Sequence, residues 1–147
     1  MTRCLDFRLE GNVLILRENS LAPTEDDWAA FLRQLQAVRP RMNEMRAIVF
    51  TDGGGPSTDQ RKRLSRVIGD APIRTAVITD RASIRFLISS IALFNKTIRT
   101  FSWQEVRLAY SWLGLPSADQ LAVQRALRDM RLTVHDLRPQ TAIDQRG

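Results

Sequence analysis

Cysteine and histidine are almost missing from this chain: Cys4 and His135 stand alone among 147 residues. One thiol excludes an internal disulfide. A structural zinc site takes about four Cys or His ligands, which this chain does not have. No base or motif accompanies Cys4 at the start of the first expected strand, so a small buried hydrophobe is its expected role. His135, between Val134 and Asp136, reads as a surface or helix-end residue. The missing cysteine framework fits a reducing, cytosolic compartment. Lysine is scarce too. Lys62 and Lys96 are the only two, although 22 basic residues against 16 acidic ones give a net charge of +6. The arginines are spread along the chain and interleaved with acids, so a solvated basic surface is expected rather than a nucleic-acid site. Long apolar runs are also lacking. Met1-Thr2-Arg3-Cys4-Leu5-Asp6 is not the apolar run of a signal peptide. The longest candidate span, Ile84 to Phe94, is shorter than the roughly 18 residues a membrane helix needs and carries Arg85, Ser89 and Ser90.

What is present suits one globular domain. Hydrophobic residues make up 44% and charged residues 26% of the chain, and a domain of this length buries roughly two thirds of its unfolded surface. Leu5, Phe7 and Leu9 alternate with Asp6, Arg8 and Glu10, the period of a half-buried strand. Gly11-Asn12 signals a tight hairpin turn into the apolar strand Val13 to Leu16. Thr24, followed by Glu25, Asp26 and Asp27, starts a helix whose stripe is Trp28, Phe31, Leu32, Leu35 and Val38. Ala47 to Phe50 is a short strand, and Thr51 to Pro56 a Gly-rich loop. Ser57 with Gln60 forms a capping box for a second helix that ends near Gly69. Thr75 to Ile78 and Ile98 to Phe101 are further strands, separated by a helix from about Arg81 to Asn95. Ser102 with Glu105 caps a helix that stops at Gly114, and Ser117 with Gln120 reads as a third capping box. Val123, Leu127, Met130 and Val134 form the stripe of the last helix, and the tail from Pro139 reads as frayed. Strands alternating with helices predict an α/β fold with a mixed, mostly parallel five-stranded sheet, flanking helices and an extra C-terminal helix.

These patterns resemble the anti-sigma-factor antagonist (STAS) family, and in particular its SpoIIAA-like branch. The carrying features are the hairpin at Gly11-Asn12, the strand-loop-helix from Ile48-Val49-Phe50-Thr51-Asp52 to Leu64, and Thr75-Ala76-Val77-Ile78-Thr79-Asp80. Phe94-Asn95-Lys96-Thr97-Ile98-Arg99-Thr100-Phe101 and Glu105 to Leu115 complete the likeness. It covers about residues 5–115, so 1–115 is expected to be the STAS-like domain and 116–147 a helical extension and tail. The resemblance implies a module that binds a protein partner under control of a serine phosphorylated in the loop after the central strand. The family pattern there is Asp-Ser or Asp-Thr. Here Asp52 is followed by glycine, and the next hydroxyls are Ser57 and Thr58, which makes the phospho-acceptor loop degenerate. The branch is also similar to lipid-carrying Sec14-type domains, which implies the alternative of a small apolar or lipid ligand lined by Phe86, Ile91, Leu93 and Phe94.

The residues themselves offer five candidate places. Ser57 is expected first as a helix cap, although a phosphate there would meet the positive helix end and Arg61. The triple glycine matches neither a P-loop nor a dinucleotide fingerprint and reads as a flexible connection. Asp52 and Asp80 stand at strand ends, where they are expected to shape turns. Arg61, Lys62, Arg63 and Arg66 make the densest basic patch. No nucleophile, base and orienting group assemble from the sequence, so no enzyme, cofactor or metal site is expected. The third helix is apolar on two sides. Ile84, Leu87, Ile88, Ile91 and Phe94 are expected to face the sheet, with Ala82, Phe86 and Leu93 on the other side. Two apolar sides need two partners: the C-terminal helix on the structural reading, a homodimer seam or protein partner on the functional one.

Overall fold

The computed structural model describes residues 4–92 and 96–130. His135, Leu93, Phe94 and the tail lie outside the described residues. Five strands, β1 (Leu5–Glu10), β2 (Val13–Glu18), β3 (Arg46–Thr51), β4 (Arg74–Ile78) and β5 (Ile98–Phe101), form one sheet in the order of the chain. The β1–β2 hairpin is antiparallel, with Gly11 in the turn at φ 60°, and every later pairing is parallel. Alternation along each strand then decides which helix meets which residue.

One face carries Leu5, Leu14, Leu16 and Ala47, covered by α1 (Glu25–Ala37) and α2 (Thr58–Ile68). Trp28, Phe31 and Leu35 of α1 are buried there, and Val67 does the same for α2. Thr24 caps α1, its Oγ1 accepting from the Asp27 N–H at 3.1 Å. Ser57 and Gln60 form the expected reciprocal box at α2. Gln60 does more than cap. It is buried, and its Nε2 donates to the Pro23 carbonyl at 3.0 Å and to Glu25 at 2.8 Å, tying the starts of α1 and α2 together.

The other face carries Val13, Ile15, Ile48, Phe50, Ala76, Ile78 and Phe101. It is covered by α4 (Val106–Leu113) and α5 (Ser117–Asp129), through Ala109, Tyr110, Leu113, Val123 and Ala126. Ser102 and Glu105 form the second capping box, but it opens a 3-10 turn, Trp103–Glu105, that runs into α4. Gly114 ends α4 in the left-handed conformation at φ 72°. The third expected box does not form. Pro116 holds the cap position of α5, and Gln120 Nε2 donates instead to the Leu115 carbonyl at 2.9 Å.

The third helix, α3 (Ala82–Ala92), packs against β5 at the end of the sheet. The sequence assigned Leu87 to the sheet-facing stripe, yet Leu87 is 53% exposed, while Ile84 and Ile88 of that stripe are half-buried. The C-terminal helix does not cover α3 either: α5 lies across β1 and β2, and Arg17 of β2 reaches the Leu127 and Met130 carbonyls at its end, each at 3.5 Å.

Met130 is 1% exposed in the core beneath α5. Removing such a side chain from a packed core costs about 2–5 kcal/mol. Met130→Ala is expected to lower stability by that amount in urea unfolding, with one cooperative transition. A loss under about 0.5 kcal/mol would instead mark α5 as a dispensable attachment.

Candidate functional site

Two places on this scaffold combine polar chemistry with unusual burial. The first is the carboxyl end of the parallel strands, where α/β folds commonly place ligands. Glu18, Asn19, Thr51 and Thr79 are all buried there. The β2–β3 pairing continues past the strands: the Asp52 N–H donates to the Glu18 carbonyl at 3.1 Å and the Gly54 N–H to the Asn19 carbonyl at 2.9 Å. Thr51 Oγ1 donates to the Gly54 carbonyl at 2.8 Å and accepts from the Gly53 N–H at 3.0 Å. Arg81 Nε closes the other side on the Asp52 carbonyl at 2.8 Å. The Gly-rich loop is therefore pinned, not the flexible connection its composition suggested. Gly54 has a steric reason to be glycine, because a Cβ would fall 2.1 Å from the Leu21 carbonyl oxygen and 2.5 Å from that of Asn19.

Glu18 shares its face of β2 with Leu14 and Leu16. Burial lifts its carboxyl to about 8, and its Oε2 has no hydrogen-bond partner among the described residues. The neutral acid is the form this site accommodates. Nothing in the sequence singled it out: the expected strand stops at Leu16, and Glu18 joins it only because β2 pairs on both sides through to its last residue.

The residues proposed for a phosphoswitch divide. Asp52 belongs to the pinned loop. Ser57 and Thr58 are exposed at the start of α2, with Ser57 Oγ accepting from the Gln60 N–H at 3.1 Å and Thr58 Oγ1 accepting from Arg61 at 3.2 Å. Asp80 accepts the Trp103 N–H at 3.1 Å, joining the end of β4 to the start of the 3-10 turn before α4. In the basic patch, Arg63 is engaged by Glu25 at 2.6 Å and Asp59 at 3.2 Å, while Arg61, Lys62 and Arg66 are exposed. Among the described residues, no group of three or more His, Cys, Asp or Glu could hold a metal ion. Cys4 is buried.

The second place is the outer end of the sheet, between α3 and α4. A cleft of about 350 Å³ is lined by Ser89, Lys96, Ile98, Arg99, Thr100 and Trp112. A second, of about 270 Å³, shares Arg99, Thr100 and Trp112 and adds Arg85, Phe101, Glu105 and Leu108. The cations are arranged on rings: Arg99 lies 5.4 Å from the Phe101 ring centre and Arg74 lies 5.2 Å from that of Trp112. Glu105 is the acidic residue of the lining. The Ser102 N–H, 2.8 Å from its Oε1, is the main cause holding its carboxyl below the ordinary range, and Arg85 stands 3.6 Å away. Thr100 Oγ1 and Arg85 Nε are buried without a partner among the described residues. Phe86, 76% exposed, projects from α3, and Leu108 of α4 is 59% exposed. Sequence reasoning found Ala82 and Phe86 on this helix but missed Arg99, Thr100 and Trp112, whose meeting depends on β5 being the last strand.

This sheet, in chain order with helices on both faces and an antiparallel opening hairpin, is a SpoIIAA-like, STAS-type fold. A solved structure similar to it is an uncharacterized protein of the DUF3478 family with a SpoIIAA-like fold from Shewanella loihica, 13% identical, with a TM-score of 0.53 over 74% of this chain and 91% of that one. No family model matches the chain, and no curated protein matches it by sequence. Among the described residues, no helix is long and apolar enough to cross a membrane.

Two predictions follow from the strand ends. Gly54→Ala is expected to cost more than about 2 kcal/mol in thermal or urea unfolding, because backbone must move. Gly55→Ala, whose Cβ would meet nothing within 4 Å, is expected to stay within about 0.5 kcal/mol of the parent; equal effects would contradict the close approach. For Glu18 the folded chain keeps a proton that the unfolded chain releases at its ordinary value of 4.5. Stability is thus fullest below about 4.5 and falls up to about 8, by at most about 1.4 kcal/mol per pH unit. Glu18→Gln is expected to flatten that slope; an unchanged slope would assign it to other groups.

Proposed function

We propose that this chain is a non-enzymatic regulatory or scaffolding module of the cytosol that acts by binding a protein. One observation carries the reading. The most apolar helix, α3, has no buried side chain among residues 82–90, and it presents Phe86 and Leu87 at 76% and 53% exposure. Exposed apolar clusters mark interaction surfaces, and the same helix carries Arg85 and Ser89 into the clefts beside it. The SpoIIAA-like fold fits the reading, since STAS-type modules commonly act through protein contacts. In this reading the loop at Asp52 has lost its phospho-acceptor and serves as a rigid brace. Ser57 is the exposed hydroxyl that would meet a helix N-terminus if phosphorylated. The apolar-ligand alternative asks for an enclosed apolar cavity, whereas the clefts found among the described residues are open and carry arginine, lysine and threonine.

Tagged full-length chain in its native host is expected to capture a specific protein, and Phe86→Asp is expected to weaken that capture by about tenfold or more, the effect of losing a central interface anchor. The variant should keep the parent's unfolding midpoint, because Phe86 contributes little to the core. Unchanged capture, or an apolar small molecule co-purifying in native mass spectrometry in place of a protein, would contradict the proposal.

A further inference from the structure

β5 ends the sheet, and its hydrogen bonding is directional. The Thr75 N–H donates to the Thr97 carbonyl at 2.6 Å and the Thr79 N–H to the Phe101 carbonyl at 2.9 Å. In a parallel ladder, alternate residues point their backbone groups to the same neighbour. Residues 97, 99 and 101 thus face β4, and Ile98 and Thr100 turn their N–H and C=O groups outward. These are the residues that line the clefts between α3 and α4. The lining holds the cations Arg85, Lys96 and Arg99, against the single acid Glu105, which Arg85 already approaches. Apolar surface lies beside them in Ile98, Leu108 and Trp112.

From this arrangement we infer that the outer edge of β5 takes up an extended acidic segment of a partner protein as a sixth strand. The inference rests on the protein-binding reading and names the chemistry of the partner. Backbone pairing with Ile98 and Thr100 supplies the affinity common to strand addition. Alternate side chains of the incoming strand meet the two sides of the edge: on the α4 side Arg99, which shares the face of Phe101, stands with Leu108 and Trp112, and on the α3 side stands Arg85, so acids of the segment find a cation on either side. Charge decides between occupants. A second copy of this chain added edge to edge brings the same cations against one another, and like charges across a strand pair are destabilising. Cations on an open edge also keep identical edges apart. The same charges therefore discourage self-pairing and favour an acidic strand.

The test uses the full chain and a short synthetic peptide alternating glutamate and valine, with its lysine-for-glutamate counterpart as control. The acidic peptide is expected to bind, to slow exchange of the Ile98 and Thr100 amide hydrogens about tenfold, and to leave Arg99 and Phe101 amides as protected as before. Arg99→Glu, and separately Arg99→Gln should the first not fold, is expected to weaken binding about tenfold. Failure of the acidic peptide to bind, equal binding of the lysine peptide, or saturation without protection at Ile98 and Thr100 would overturn the inference. Protection that rises with protein concentration alone would assign the edge to a second copy and overturn it as well. The two readings fail separately: loss of capture in Phe86→Asp with no peptide binding removes only the acidic strand, whereas peptide binding with capture intact in Phe86→Asp removes only the α3 interface.

Discussion

The rest of the structure depends on the order of its strands. With the sheet in chain order β1-β2-β3-β4-β5, each parallel crossover steps the same way. Crossovers are right-handed, so helices made by successive steps in one direction share one face. That is where α1 and α2 lie, with Trp28, Phe31, Leu35 and Val67 against Leu14, Leu16 and Ala47. No crossover helix is left for the opposite face, although Val13, Ile15, Ile48 and Phe50 are apolar on it. The chain beyond β5 must supply that cover. It returns over the sheet as α4, against β4 and β5, and then α5, against β1 and β2. The last helix thus shares the core with the sheet, through Val123, Ala126 and Met130.

The same constraint explains the two unusual places. At the strand ends, parallel pairing brings Glu18, Thr51 and Thr79 side by side, where they are shut off from water by the loop that Thr51 and Arg81 pin. Burial there costs the carboxylate its charge, and the loop that carries a phospho-acceptor in the resembled family is here held by its own hydrogen bonds. At the outer end, α3 has a strand on one side and, among the described residues, no following element to cover it. Phe86 and Leu87 stay exposed, and among the described residues no strand pairs with the outer edge of β5.

Much of this was legible in the sequence where a local rule acts alone. The hairpin at Gly11, the caps at Thr24, Ser57 and Ser102, and the stop at Gly114 all follow from short-range chemistry and stand in the fold. The strands followed from apolar runs, and the mixed, mostly parallel sheet from their alternation with helices. What could not be read there depended on who sits next to whom. Leu87 lies on the inward side by helical spacing, but it stays exposed while Ile84 and Ile88 find partial cover. Ser117 looked like a cap, but Pro116 fixes the entry to α5 and Gln120 turns to the Leu115 carbonyl. Phe86 carried a signal, as an apolar residue on a second side of a helix. Arg99, Thr100 and Trp112 carried none, since nothing local tells an edge strand from a central one.

The central claim is that the outer end of the sheet is a protein-binding surface and not merely an uncovered one. The most direct measurement is site-specific photocrosslinking in the native host, with a photoreactive amino acid at Phe86 and, as a control, at Leu121, which is 49% exposed on α5. A discrete adduct with another protein from position 86 and none from position 121 is the predicted result. No adduct from position 86, or the same adducts from both positions, would contradict the account.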